Sequence, residues 1–333
     1  LTRAPAADGA AALVREVLDG SARALARAMS LVENEAPEAG MILDGVYGRR
    51  PEPPRLGVTG PPGAGKSTLV AEYAAARRGE GLRLGIVAVD PTSPFTGGAI
   101  LGDRVRMHEL ATDPEVFIRS MATRGSLGGL AARTEELCEL LGAWGSALTL
   151  IETVGVGQSE LDVAEAADTT LVVLTPESGD AIQGLKAGLM EIADVFVVNK
   201  ADHPGADQLT VALRSSLALR AEAAWKPPVV RTVATERKGL GELHEAVLRH
   251  RAHISEPGRR EPRRRAKARA RLRNALREGL LGGWWKRRGL EGLIDAATTD
   301  VLEGRVSPYR AARDLIERMM DHGESGNDPG PRH

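Results

Sequence analysis

Gly60-Pro61-Pro62-Gly63-Ala64-Gly65-Lys66-Ser67 fills every position of the pattern G-x-x-x-x-G-K-[ST], directly after the apolar run 56–59 and before a helical segment. Glycines in such a loop let backbone N–H groups turn toward phosphate oxygens with no Cβ in the way. Lys66 would reach the β- and γ-phosphates of a nucleotide, and the Ser67 hydroxyl would ligate Mg²⁺. Thr68 follows in the first helical turn and joins the candidate binding set, where the helix N-terminus adds favourable partial charge. A Gly-Pro turn that binds nothing is the bland alternative, and the strand–loop–helix context disfavours it.

Outward from this loop, apolar runs recur at 56–59, 84–89, 116–118, 147–151, 170–174, 195–198 and 229–233. Amphipathic stretches long enough for crossover helices lie between most of them. The expected fold is therefore α/β, a phosphate-loop nucleotide-hydrolase domain with a mainly parallel, doubly wound sheet. Residues 1–50 read as a helical extension, with Leu13, Val14, Val17 and Leu18 at helical spacing before a Pro-rich break. The nucleotide domain is expected over 51–255 and a helical dimerisation region over 256–322. The tail 323–333 is polar, rich in Gly and Pro, and expected to fray.

Composition narrows the field. Aromatic residues make up only 3% of the 333 residues, too few for an extended base-stacking platform. A core must come from Leu, Val, Ile and Ala, which suits buried parallel strands. One cysteine, Cys138, excludes a disulfide framework within the chain and any clustered thiolate metal site. A net charge of −1 gives no global field toward nucleic acid or membrane, and neither is expected as a partner. No apolar run is long enough to span a bilayer and no targeting segment is evident, so the cytoplasm is the expected compartment. Only seven of the 44 basic residues are lysines, so a lysine in a Gly-rich or Asn-Lys context stands out as a phosphate-compatible point charge.

Asn199-Lys200-Ala201-Asp202 ends the run 195–198 and reads N-K-x-D. A carboxylate at Asp202 can accept both the N1–H and the 2-amino hydrogen of guanine, a pair adenine does not offer. Asn199 would tie loops together and touch the base edge, with the Lys200 stem over the ring. Thr232-Val233-Ala234 is a softer candidate to supply a backbone N–H to the guanine oxygen. Two acidic strand ends complete the set: Asp90 after 84–89, and Glu152 after 147–151 in Glu152-Thr153-Val154-Gly155. The second occupies the place of the usual D-x-x-G, and a Glu carboxylate can still hold Mg²⁺ through a water. The Gly155 N–H would meet the γ-phosphate. A helix cap for Asp90 and a solvated loop charge for Glu152 are the alternatives. The catalytic candidates are Lys66, Asp90, Glu152 and Gly155; the metal candidates are Ser67, Asp90 and Glu152. Many GTP hydrolases place a glutamine directly after that glycine, whereas Val156 stands here, so slow hydrolysis alone and acceleration by a partner are expected.

Longer segments carry a resemblance. Asp90-Pro91-Thr92-Ser93-Pro94 leads to Gly97-Gly98-Ala99-Ile100-Leu101-Gly102-Asp103-Arg104-Val105-Arg106-Met107. Arg119-Ser120-Met121-Ala122-Thr123-Arg124-Gly125 follows, then Gly155-Val156-Gly157-Gln158-Ser159-Glu160, and then Gly179-Asp180 with Gln183-Gly184-Leu185-Lys186. Together these resemble the methylmalonyl-CoA mutase-associated GTPase family, formerly labelled arginine/ornithine transport ATPases, over nearly the whole chain. The resemblance implies a homodimeric GTPase with GTP/GDP and Mg²⁺ as cofactors. It implies a chaperone that gates adenosylcobalamin loading and protects an adenosylcobalamin-dependent acyl-CoA mutase, with the cobalamin adenosyltransferase as a further partner. By the same analogy 175–186 is a partner-responsive switch with Asp180, Gln183 and Lys186 as polar contacts. Pro176-Glu177-Ser178 and Ala181 depart from the family spelling, which bears on partner choice.

Arg104, Arg106 and Arg124 offer planar forks for a phosphate or a carboxylate, against the plainer reading of structural ion pairs. The basic stretch 263–277 is read as a solvated helix with an apolar stripe for a second subunit, ahead of a nucleic-acid arm. Two rivals remain: a metallochaperone GTPase for a nickel enzyme, which wants Cys/His clusters, and a nucleotide-binding module without turnover. His244, His250 and His253 are read as an exposed helix face.

Overall fold

In the computed structural model the described residues are 4–90, 108–122, 129–153, 159–178, 187–219 and 224–259, with 261, 262, 265, 269, 297 and 305 besides. Three N-terminal helices, α1 (Ala4–Leu18), α2 (Ala22–Glu33) and α3 (Ala39–Val46), precede the sheet. Ser21 caps α2, its hydroxyl accepting from the Ala24 N–H at 3.2 Å, which fixes the break after Gly20.

The strands are β1 (Arg55–Thr59), β2 (Leu84–Asp90), β3 (Val116–Ala122), β4 (Leu148–Thr153), β5 (Thr169–Leu174), β6 (Val195–Val198) and β7 (Val229–Arg231). They form one sheet in the order β3-β2-β4-β1-β5-β6-β7, every pairing parallel. Between them run α4 (Lys66–Gly79), α5 (His108–Ala111), α6 (Gly129–Trp144), α7 (Ser159–Ala166), α8 (Ala187–Ile192) and α9 (Ala206–Ala218), and α10 (Leu240–Ile254) follows β7. All seven expected runs are strands. β3 extends four residues past its apolar stretch because Arg119 on this edge strand pairs with Glu33 of α2.

Side-chain alternation sorts the core onto both faces. Leu56, Val58, Val195 and Val197 pack with Leu69, Val70 and Tyr73 of α4 and Leu243 and Val247 of α10. On the other face Val87, Val89 and Ile151 meet α1–α3 and Leu137, Cys138 and Leu141 of α6. Phe196 and Val198 turn toward Leu209 and Leu213 of α9. Gly57 lets α7 approach closely, since a Cβ there would lie 2.9 Å from the Ala167 methyl. Chain connectivity changes direction at β1, between β4 and β5. The carboxyl end of such a strand is where open parallel sheets bind ligands.

The three histidines near α10 are not an exposed face. His250 is 2% exposed, its Nδ1 bonded to Thr169 Oγ1 at 2.9 Å and its Nε2 3.1 Å from the Asp194 carboxylate. His244 Nδ1 shares a 2.8 Å hydrogen bond with the Tyr73 hydroxyl.

Candidate nucleotide site

The phosphate loop spans the exit of β1 and the first turn of α4. Gly60 has φ +140°, and a Cβ there would fall 2.1 Å from the Val173 carbonyl oxygen. Gly65 caps α4 in the left-handed region at φ +81°, where a Cβ would fall 2.5 Å from Asn199 Nδ2. Both positions exclude any side chain. The Lys66 ammonium is buried and donates to the Gly60 carbonyl at 2.8 Å and the Pro61 carbonyl at 3.0 Å.

In the first turn of α4, the Ser67 hydroxyl donates to Glu152 Oε1 at 2.6 Å, with Glu152 fully buried. Glu152 stands within β4, opposite Val58 of β1 and Ala88 of β2. It is therefore not a solvated loop charge; the strand runs two residues further than its apolar run. Next to it, Thr153 Oγ1 donates to Thr59 Oγ1 at 3.2 Å. Asp90 is the last residue of β2, one step beyond the Val89–Thr153 pair, so its backbone sits at the same sheet edge. Its side chain lies outside the described residues. So do Gly155, Arg104, Arg106, Arg124, Asp180, Gln183, Lys186 and most of the basic stretch.

Asn199 does the tying. Its Nδ2 donates to the Ala64 carbonyl at 2.9 Å, and its Oδ1 accepts from Thr232 Oγ1 at 3.0 Å and the Ala234 N–H at 3.2 Å. One buried amide thus joins the phosphate loop, the β6 exit and the β7 exit. The Thr232 N–H goes to the Val198 carbonyl and the Val233 N–H to the Lys238 carbonyl. All three backbone donors of Thr232-Val233-Ala234 are thus engaged within the chain.

Lys200 holds φ +53°, an uncommon state for a residue with a side chain. The Asp202 carboxylate is 48% exposed, with His203 Nε2 3.8 Å away. His203 Nδ1 meets Glu177 Oε1 at 2.7 Å, and Lys200 Nζ lies 3.4 Å from Glu177 Oε2. The Thr175 hydroxyl, then His203 and Lys200, bond the Glu177 carboxylate and draw its pKa down to about 2. The spacing of residues gave no sign of this contact between the β5 and β6 exits, beyond the unusual spelling at Pro176-Glu177-Ser178.

A hydroxyl and a carboxylate 2.6 Å apart beside a phosphate loop are hard oxygen donors, the set that suits Mg²⁺. Among the described residues no group of three or more His, Cys, Asp or Glu side chains converges as a metal site. None of the described helices is long and apolar enough to cross a membrane.

A parallel sheet carrying this loop at its switch point, with an N-K-x-D turn at a neighbouring strand exit, defines a phosphate-loop NTPase of the guanine-nucleotide class. Residues 25–288 match the family described as "Methylmalonyl Co-A mutase-associated GTPase MeaB". The chain belongs to that family and is a GTP hydrolase by class. It is 44% identical over 317 residues to a Pyrococcus abyssi protein named only as a GTPase, covering 94% of this chain and 98% of that one. Identity to the Escherichia coli GTPase ArgK is 35% over 313 residues, 91% and 95% of the two chains. The crystal structure of an LAO/AO transport system kinase superposes with a TM-score of 0.68 at 29% identity, over 96% of this chain and 99% of that one.

Proposed function

We propose that this chain is a GTP-driven chaperone of an adenosylcobalamin-dependent acyl-CoA mutase, slow as a GTPase alone and faster when the mutase completes the site. The buried Ser67–Glu152 pair beside the phosphate loop carries the nucleotide half of this reading. In it Lys66 exchanges the loop carbonyls for β- and γ-phosphate oxygens, stronger charged acceptors for the same ammonium. Backbone N–H groups of 63–66 and of Gly155 orient the γ-phosphate, and Asn199, Lys200 and Asp202 hold the guanine. Ser67, Glu152 and Asp90 would hold Mg²⁺, which neutralises charge developing on the phosphate oxygens.

The mutase half is supported by the family description, which names association with methylmalonyl-CoA mutase. The mouse mitochondrial methylmalonic aciduria type A homolog, 36% identical over 271 residues (79% of this chain, 65% of that one), points the same way. Dimerisation falls to 256–322 in this reading, with 1–50 as an extension of the nucleotide domain 51–255. The switch residues are Asp180, Gln183 and Lys186, the adenosyltransferase is a further partner, and the compartment is the cytoplasm.

Pull-down of candidate mutases by the purified chain, with GDP and with a non-hydrolysable GTP analogue, tests the role alongside GTP turnover. A nucleotide-dependent complex with raised turnover is expected. Turnover that is fast alone and indifferent to every mutase would overturn it.

A further inference from the structure

At the amino ends of β1, β4 and β5, the pole of the sheet opposite the phosphate loop, α4 and α10 enclose a cavity of about 50 Å³. One water takes roughly 10–15 Å³ on the same measure, so the space suits about four or five heavy atoms. Leu56, Leu82, Leu148 and Val247 give it apolar walls. Its polar lining includes Arg77 and Arg251, and no described carboxylate lines it.

One of these guanidinium groups is incompletely satisfied. Arg77 is 8% exposed; its Nη1 lies 2.9 Å from the half-exposed Glu80, yet its Nε makes no hydrogen bond. The Arg77 guanidinium lies over the Tyr73 ring, 5.4 Å from its centroid, and Arg77 and Arg251 both act on Tyr73 and His244. They oppose the burial that pushes the Tyr73 hydroxyl up to about 12, and Arg77 adds to the burial that depresses His244. A buried guanidinium with an unmet N–H is costly, and its forked donors match an oxyanion.

We propose that this cavity is a binding site for a small oxyanion, inorganic phosphate or a short carboxylate, held by the guanidinium groups of Arg77 and Arg251. It is separate from the nucleotide site: Lys66 opens α4 and Arg77 stands in its last turn. The two sites thus lie at opposite ends of α4.

Thermal unfolding of the full chain, saturated with GDP, decides it, with phosphate, acetate or chloride added at equal ionic strength. Phosphate or acetate should raise Tm by about 3 °C near tenfold its Kd, chloride should not, and the better anion identifies the geometry held. The shift should vanish in Arg251→Ala, whose half-buried side chain can be removed without opening the core, and in Arg77→Met. It should survive in Lys66→Ala measured without nucleotide, where the phosphate loop is disabled. Equal shifts in chloride, a shift surviving Arg251→Ala and Arg77→Met, a shift lost in Lys66→Ala, or no shift with either anion would each overturn the proposal.

Discussion

The Ser67 hydroxyl and the Glu152 carboxylate meet at 2.6 Å in the interior, binding the first turn of α4 to the middle of the sheet. If Glu152 acts on the nucleotide through a water on Mg²⁺, Glu152→Gln separates that role from packing. The amide oxygen can still accept from Ser67, and loss of a buried charge should leave Tm unchanged or raise it. The Mg²⁺ concentration needed for half-maximal GTP turnover should rise about 10–100-fold. An unaltered Mg²⁺ dependence would reduce Glu152 to a structural acceptor.

Asn199 predicts a different pattern. Asn199→Ala strands the Ala64 carbonyl, the Thr232 hydroxyl and the Ala234 N–H, and should cost about 2–4 kcal/mol by denaturant titration. Because the same amide sets the phosphate loop against the base turn, GTP affinity should fall even where the variant is fully folded. Retained affinity would separate the two loops energetically.

Seven strands were readable because parallel strands buried on both faces are continuous apolar runs, and Lys66, Ser67, Asn199 and Asp202 because their motifs are contiguous. The far end of β3 was not, since Arg119 and Ser120 interrupt its pattern and Arg119 is explained only by its contact with α2. The burial of Glu152 and His250 was hidden for a related reason. A charged or titratable residue looks solvated until the partner that satisfies it is known, here Ser67 for one and Thr169 with Asp194 for the other. Glu177 meeting Lys200 and His203 depends on two strand exits lying side by side, which spacing along the chain does not encode.

The Glu177 cluster sets an acid limb. Its carboxyl is lowered from 4.5 to about 2, so its contribution to stability is fully present above pH 4.5 and is lost as pH falls through about 2. Unfolding measured from pH 6 to pH 2 should therefore show the natural protein losing its margin over Glu177→Gln within that window. A constant difference across the window would mean that Thr175, His203 and Lys200 do not favour the ionised form.

Base choice gives the last test. Asp202 is half-exposed, and the nearby His203 leaves its carboxylate available as an acceptor for guanine's two N–H groups. Two charge-assisted hydrogen bonds in this setting amount to about 3 kcal/mol, or roughly 10²-fold in Kd. Asp202→Ala should weaken GTP by that factor while leaving ATP where it was, because adenine never used the carboxylate. Calorimetric titration with both nucleotides measures the gap directly. If both affinities fell together, Asp202 would be shaping the loop, and selectivity would have to reside in another group around the base.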